Sequence, residues 1–244
     1  MNIDILGISE LKWTGMGGLT QMTIVSSTVG KNPLEKMEYP YIIASNEATG
    51  ELAVMFPEFE QLYQINSDIV GWISIADTRI DYPVVQRKDT TDYYLNRDFY
   101  GKYTARGCLY AAEACDVFAP SDNVIIYGHM MNDGSMFAGL SKYTSKAYWK
   151  DHQFIQFDTL RNRNTYQIVC VFKTTATAGK GFAYHRFINA QNDEDWETFW
   201  QNCQDNAFYD TGLALSPGDQ IITLSTCEYT LTNGRLVIVA KLVD

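Results

Sequence analysis

Three side chains in this sequence are of the types that thiol chemistry requires, and each stands at the end of an apolar run. Cys227 closes ITLSTCEY, His129 follows Gly128 in NVIIYGHMMNDGSMF, and Arg235 opens RLVIVAKL directly after an Asn-Gly pair. Only a thiolate attacks a carbonyl, and an unperturbed thiol titrates near ~8.5, so a neighbouring imidazolium or guanidinium is the physical means of activation. An arginine also donates two hydrogen bonds to an oxygen that becomes negative during acyl transfer. Nucleophile, proton carrier and oxyanion donor together suffice for thiol acyl transfer. With a high thiol pKa and a lower imidazole pKa, only a minor fraction at neutral pH holds both thiolate and protonated imidazole. The rate is then expected to peak between the two values.

Plainer readings stand beside these. Arg235 next to Asn-Gly fits the solvated end of a hairpin. A free cysteine in a strand is usually a core residue, the reading taken for Cys108, Cys115, Cys170 and Cys203, while His152 and His185 are read as structural. Five cysteines without a C-x-x-C pair fit neither a disulfide framework nor a zinc ribbon, and at least one thiol should be free. With three histidines a metal site is unmotivated, and no metal is expected.

The elements that must position the three residues are strands. GWISI (71–75), YPVVQ (82–86), GCLYA (107–111), NVIIYG (123–128), FIQFD (154–158), TYQIVCVF (165–172), QIITLST (220–226) and RLVIVAKL (235–242) are short β-branched and aromatic runs bounded by Gly, Asn, Asp or Pro. Eight such runs predict a barrel or sandwich. Strand ends suit chemistry, because a small barrel is filled inside while its ends and loops meet solvent. Ahead of them Pro57 suits the first turn of a short helix, with Phe59, Leu62 and Tyr63 on one face up to about Ile65. A long insertion, about 174–219, precedes the Cys227 strand. In it Trp196, Phe199, Trp200 and Cys203 fall at i, i+3, i+4 and i+7, and Asn192 or Asp193 can cap the helix. That helix is expected to cover an edge or mouth of the barrel, and such insertions also form substrate walls.

Composition narrows the classes. The 244 residues carry 19 Lys plus Arg against 29 Asp plus Glu, a net charge of −10, which argues against a nucleic-acid binder. At 46% hydrophobic and 20% charged residues the chain has material for a real core. No stretch approaches the roughly 18 to 20 apolar residues of a membrane-spanning helix, and MNIDILGISELKW lacks the basic and apolar regions of a secretory signal. Residues 1–50 read as a leader or linker, with GMGG and SSTVGKNP as loops, and 51–244 as the catalytic domain. NIDILGISELKW resembles a fragment of retroelement endonucleases of the exonuclease–endonuclease–phosphatase type, in which the Glu matching Glu10 binds a metal. None of that family's remaining catalytic parts follow it.

At the reactive residues the sequence resembles the sortases. LSTCEY followed by GRLVIVAKLV matches their T-L-x-T-C motif and downstream Arg, and NVIIYGHMMNDGSMF matches their catalytic-His segment. INSDIVGWISIADTRIDYPVVQ, DYYLNRDFYG and the helix-bearing insertion resemble class B, over about residues 55–243. The resemblance implies a mainly β fold: a closed eight-stranded barrel with N-terminal helices and a helix in the insertion before the Cys strand. It implies a cysteine transpeptidase needing no cofactor. Cys227 is its nucleophile, His129 its general acid and base, and Arg235 the group that orients the carbonyl and stabilises the oxyanion. The substrates it implies are surface proteins bearing a C-terminal sorting motif, cleaved after Thr through a thioester. An amine of a peptidoglycan precursor or of a pilin resolves that thioester. Asn-Pro-x-Thr and Pro-Pro-x-Thr-Gly motifs both remain open, as does the acceptor. Thr226 and Ser225 adjoin the nucleophile and are nominated to shape the oxyanion site or touch the peptide, with Glu228 on the other strand face tuning local charge. Tyr94, Leu95 and Tyr184 resemble groove-lining positions. Class B members carry an N-terminal hydrophobic anchor outside the cytoplasmic membrane of Gram-positive bacteria. The resemblance therefore implies an extracellular, membrane-anchored enzyme whose anchor is absent from this chain.

Two other classes compete. A papain-like cysteine peptidase places Cys before His, the reverse of the order here, and lacks the barrel-like strand pattern. A non-catalytic surface-binding module explains the strands but not three reactive residues at strand ends.

Overall fold

The computed structural model describes residues 52–177 and 179–244, with side chains from Val54 onward, together with strand backbone at 8–14, 21–26 and 42–45. The chain divides into two units, Met1–Ile65 and Asn66–Asp244, a division later than the 50/51 boundary read from composition.

In the first unit β1 (Ile8–Thr14) pairs antiparallel with β2 (Gln21–Ser26), and β3 (Ile42–Ser45) with β4 (Leu52–Val54). Residues 1–50, read as a leader or linker, thus contain β1, β2 and β3. GMGG and, apart from Ser26 at the end of β2, SSTVGKNP lie outside the described residues. Helix α1 (Pro57–Ile65) starts at its proline, carries Glu58 and Glu60 in the first turn and buries Phe59 and Leu62, as the i, i+3 spacing predicts.

In the second unit all eight predicted runs form strands: β5 (Ile69–Ser74), β6 (Asp81–Val85), β7 (Leu109–Ala111), β8 (Asn123–Tyr127), β9 (Phe154–Thr159), β10 (Thr165–Thr175), β11 (Ile221–Glu228) and β12 (Gly234–Leu242). They close into a barrel in the order β10-β12-β11-β8-β7-β6-β5-β9. The β8–β11 and β6–β7 pairs are parallel and the rest antiparallel. Every strand contributes to the interior, among them Val84, Leu109, Ile126, Phe157, Ile168, Leu224 and Ile238. Helix α2 (Lys146–Asp151) and the 3₁₀ segment Phe137–Thr144 add Trp149, Leu140 and Tyr143 to the same core.

Helix α3 (Asp193–Asn206) occupies the insertion, and the Asn192 side chain caps it by accepting from the Asp195 N–H at 3.0 Å. Its buried stripe, Trp196, Phe199 and Cys203, packs on Val169, Cys170, Phe172, Val237 and Val239. The helix therefore covers the outer wall of β10 and β12, not an edge or mouth. The reason is that closure leaves the barrel no edge, whereas the middle of β10 is apolar on both faces and needs an outer cover.

Candidate active site

Strand register brings the three reactive residues together. β8 and β11 run parallel with Tyr127 opposite Ser225, and the Gly128 N–H donates to the Ser225 carbonyl at 3.1 Å. His129 and Cys227 each lie two residues beyond that pair, so they leave the barrel at the same end and level. β12 pairs antiparallel on the other side of β11 and sets Arg235 directly opposite Cys227, with Cβ atoms about 5 Å apart in such pairs. Ile222 and Leu224 face the interior while Ile221, Val237 and Val239 join the outer layer. Cys227 and Arg235 share the parity of the outer set, so the site sits on the outer wall at the barrel's rim.

His129 is held from its far side. Its Nε2 lies 2.7 Å from the Leu95 carbonyl oxygen, so Nε2 carries a proton and Nδ1 is left for the thiol. That carbonyl is delivered by the 3₁₀ turn Tyr93–Asn96, which is tied down behind the site. The Tyr94 hydroxyl donates to Asp68 at 2.7 Å and accepts from the Asn66 amide, and the Cys108 N–H donates to the Tyr94 carbonyl. Gly107 adopts φ +60, and a Cβ there would come within 2.4 Å of the Leu95 oxygen. Gly107→Ala is expected to cost about 2 kcal/mol through overpacking and backbone strain. Displacing that carbonyl also removes one support of protonated His129, so Cys227 should alkylate more slowly at neutral pH. Calorimetry and iodoacetamide kinetics check the two parts.

Electrostatics couple the pair. The hydrogen bond with His129 lowers the Cys227 pKa first; burial opposes it, and the Arg235 charge adds to the lowering. The same bond raises the His129 pKa, burial opposes this, and the Leu95 carbonyl adds to the rise. The two shifts converge, so the share of enzyme holding thiolate and imidazolium together is larger than for unperturbed groups. Arg235 Nη1 donates to the Gly234 carbonyl at 2.9 Å and the Asn233 carbonyl at 3.4 Å. Its Nε and Nη2 have no acceptor among the described residues, leaving donors free for a substrate oxygen.

The remaining nominated residues separate. Ser225 and Tyr184 are buried and bonded to each other, hydroxyl to hydroxyl at 2.6 Å, so they brace β11 two residues before the thiol. Thr226 has interior parity and its buried hydroxyl has no hydrogen-bond partner among the described residues. Tyr94 is buried behind the His129 support, and Leu95 exposes its side chain while its carbonyl holds the imidazole. Glu228 does more than tune charge: it accepts from the Thr230 and Leu231 N–H groups and lies 3.8 Å from Lys173, so it organises the turn that returns the chain to Arg235. Sequence reasoning missed the Leu95 carbonyl and Gly107; the glycine opening GCLYA was the available hint for the latter, and a backbone carbonyl leaves no signal in residue type.

Cys227 is half-buried, while Cys108, Cys115, Cys170 and Cys203 are buried. Burial pushes the Cys108 thiol up to about 12 and the Cys115 thiol up to about 11. Iodoacetamide at neutral pH is therefore expected to modify one thiol per native chain, at Cys227, at least about a thousandfold faster than the others. Mass mapping of the native and the denatured protein checks this.

A closed eight-stranded barrel with thiol, imidazole and guanidinium at one end defines a class of cysteine acyl-transfer enzymes, and the family comparison agrees. The sortase domain model matches residues 73–243, and the chain belongs to the sortase family. Within that family it is of the class B type. Sortase B of Staphylococcus aureus is 34% identical over 189 residues, covering 77% of this chain and 75% of that protein. Sortase B of Listeria monocytogenes is 34% identical over 210 residues, covering 85% and 82%. Among solved structures, a Staphylococcus aureus sortase B–substrate complex superposes with TM-score 0.71 at 33% identity, covering 78% of this chain and 86% of that one. A Bacillus anthracis protein described as similar to sortase B gives TM-score 0.69 at 37% identity, covering 78% and 84%.

Proposed function

We propose that this sortase cleaves a C-terminal sorting motif of surface proteins after Thr and transfers the acyl group to an amine of the cell wall or of a pilin. The observation that carries the reading is the convergence of Cys227, His129 and Arg235 at the ends of three adjacent strands. The Cys227 thiolate attacks the Thr carbonyl, and Arg235 donates to the oxygen as it becomes negative. His129 gives its Nδ1 proton to the departing amine, leaving a thioester on Cys227. The neutral imidazole then takes a proton from the incoming amine as that amine attacks the thioester, and Cys227 leaves as thiolate. No metal or organic cofactor enters these steps. Ser225, Tyr184 and Thr226 shape the strand beneath the thiol, Tyr94 supports the His129 holder, and the Leu95 side chain borders the groove. Residues 51–244 are the catalytic domain, and the enzyme works at the extracellular face of the bacterial membrane, held there by an anchor. Among the described residues no helix is long and apolar enough to cross a membrane.

The test supplies peptides containing Asn-Pro-x-Thr or Pro-Pro-x-Thr-Gly, with and without an amine acceptor, and uses Cys227→Ala as the blank. New amide product that depends on acceptor concentration supports the reading; acid product alone, whatever the acceptor, makes the protein a cysteine peptidase. Cleavage is also expected to follow a bell in pH. The rate rises as Cys227 ionises, from a pKa below the usual thiol range, and falls as His129 loses its proton, from a pKa above the usual imidazole range. A rate flat between about pH 6 and 9 contradicts the assignment.

A further inference from the structure

Two buried thiols that the acyl-transfer chemistry leaves unused meet across the outer layer of the barrel. The β10–β12 register shifts between Ile168 and Cys170. A bulge puts two consecutive side chains on one face, and here Val169 and Cys170 both enter the outer layer while Ile168 and Val171 face inward. The bulge therefore aims Cys170 at α3, where Cys203 lies on the buried stripe one turn after Phe199. The Cys170 S–H donates to the Cys203 carbonyl at 3.3 Å, which places its sulfur beside the Cys203 backbone in the same buried layer. Their exposures are 2% and 0%.

The surroundings hold this pair in place. Just past Cys203, Ala207 bridges to Phe172, and the Phe208 N–H donates to the Val171 carbonyl at 2.9 Å. The helix end is thereby pinned to the strand beside Cys170. The other thiols have different partners: Cys115 lies between the Asn123 carbonyl and the Ile125 N–H, and Cys227 faces His129.

We propose that Cys170 and Cys203 form a disulfide site that staples the insertion to the barrel wall, closed by exchange with a small-molecule disulfide while the chain folds. One cysteine attacks the small disulfide, giving a mixed disulfide and releasing one small thiol. The second cysteine attacks the protein sulfur of that mixed disulfide, forming the Cys170–Cys203 bond and releasing the second small thiol. The two cysteines lose two electrons and the small disulfide gains them, with no net proton change. Exchange precedes burial, since neither sulfur meets solvent in the folded chain. The bond links residues 33 apart in sequence, a loop long enough for cross-linking to restrict the unfolded chain appreciably. Neither thiol takes part in acyl transfer, so the site stands independently of that reading.

The test refolds the reduced, denatured full-length chain in a mixture of oxidised and reduced glutathione, blocks free thiols with iodoacetamide, and maps peptides without reduction. The expected result is a linked Cys170–Cys203 peptide pair about 2 Da lighter than the two thiol peptides together. The thermal midpoint should rise by about 5 to 10 °C and fall back on adding dithiothreitol. A Cys170→Ala/Cys203→Ala chain should show no such redox-dependent shift. Recovery of both cysteines without the link, or the same shift in the double variant, overturns the proposal. The mapping uses the unaltered chain and decides even if the double variant does not fold.

Discussion

Cys227→Ala is expected to abolish peptide cleavage, lowering kcat by at least about 10⁴-fold, while the barrel keeps its thermal midpoint to within a few degrees. The effect is this large because no neighbouring group can substitute. The other four thiols are buried, and Cys108 and Cys115 are pushed up to about 12 and about 11. His129 and Arg235 would still bind and polarise a carbonyl but would have no thiolate to present to it. The fold should tolerate the change, since Cys227 is half-buried near the end of β11 and its sulfur fills no core space. Trapping with labelled peptide separates the chemistry from binding: the natural chain should gain an acyl adduct and the variant none. Turnover by the alanine variant above background would move the nucleophile elsewhere.

Arg235→Lys is expected to lower kcat/KM by about 10² to 10³-fold, the cost of losing an oxyanion donor. Lysine keeps the positive charge but loses the planar fork. The main cause of the lowered Cys227 pKa is the hydrogen bond with His129, with the Arg235 charge behind it. The iodoacetamide rate of the lysine variant should therefore stay within a few-fold of the natural chain. Arg235→Ala removes donor and charge together and should slow both reactions. Alkylation and cleavage falling in parallel in the lysine variant would make Arg235 a modulator of the thiol pKa only. The present geometry favours the donor role, because Nη1 anchors the guanidinium on the Asn233 and Gly234 carbonyls while Nε and Nη2 have no acceptor among the described residues.

Much of this site is legible in the residues alone. Short β-branched and aromatic runs bounded by Gly, Asn, Asp or Pro mark every strand of the barrel, the i, i+3, i+4 spacing marks α1 and α3, and the reactive groups fall where runs end. These signals are local: each is a preference of a few consecutive residues for one backbone geometry and one buried face. The placement of the insertion helix was less legible, since covering an outer wall depends on closure, and closure is a property of all eight strands at once.

What the chain's order of residues determined by itself is therefore the three residues proposed as nucleophile and helpers, the strands that carry them and the family they belong to. Tertiary structure alone decided that Tyr127 stands opposite Ser225, which makes His129 and Cys227 level although a hundred or so residues separate them. It also decided that Leu95 contributes a carbonyl, that Tyr184 braces Ser225, and that Cys170 meets Cys203. The physical reason is common to all of these. Register between distant strands, a backbone oxygen aimed by a turn and a side chain redirected by a bulge arise from long-range pairing, and a backbone carbonyl is the same group in every residue.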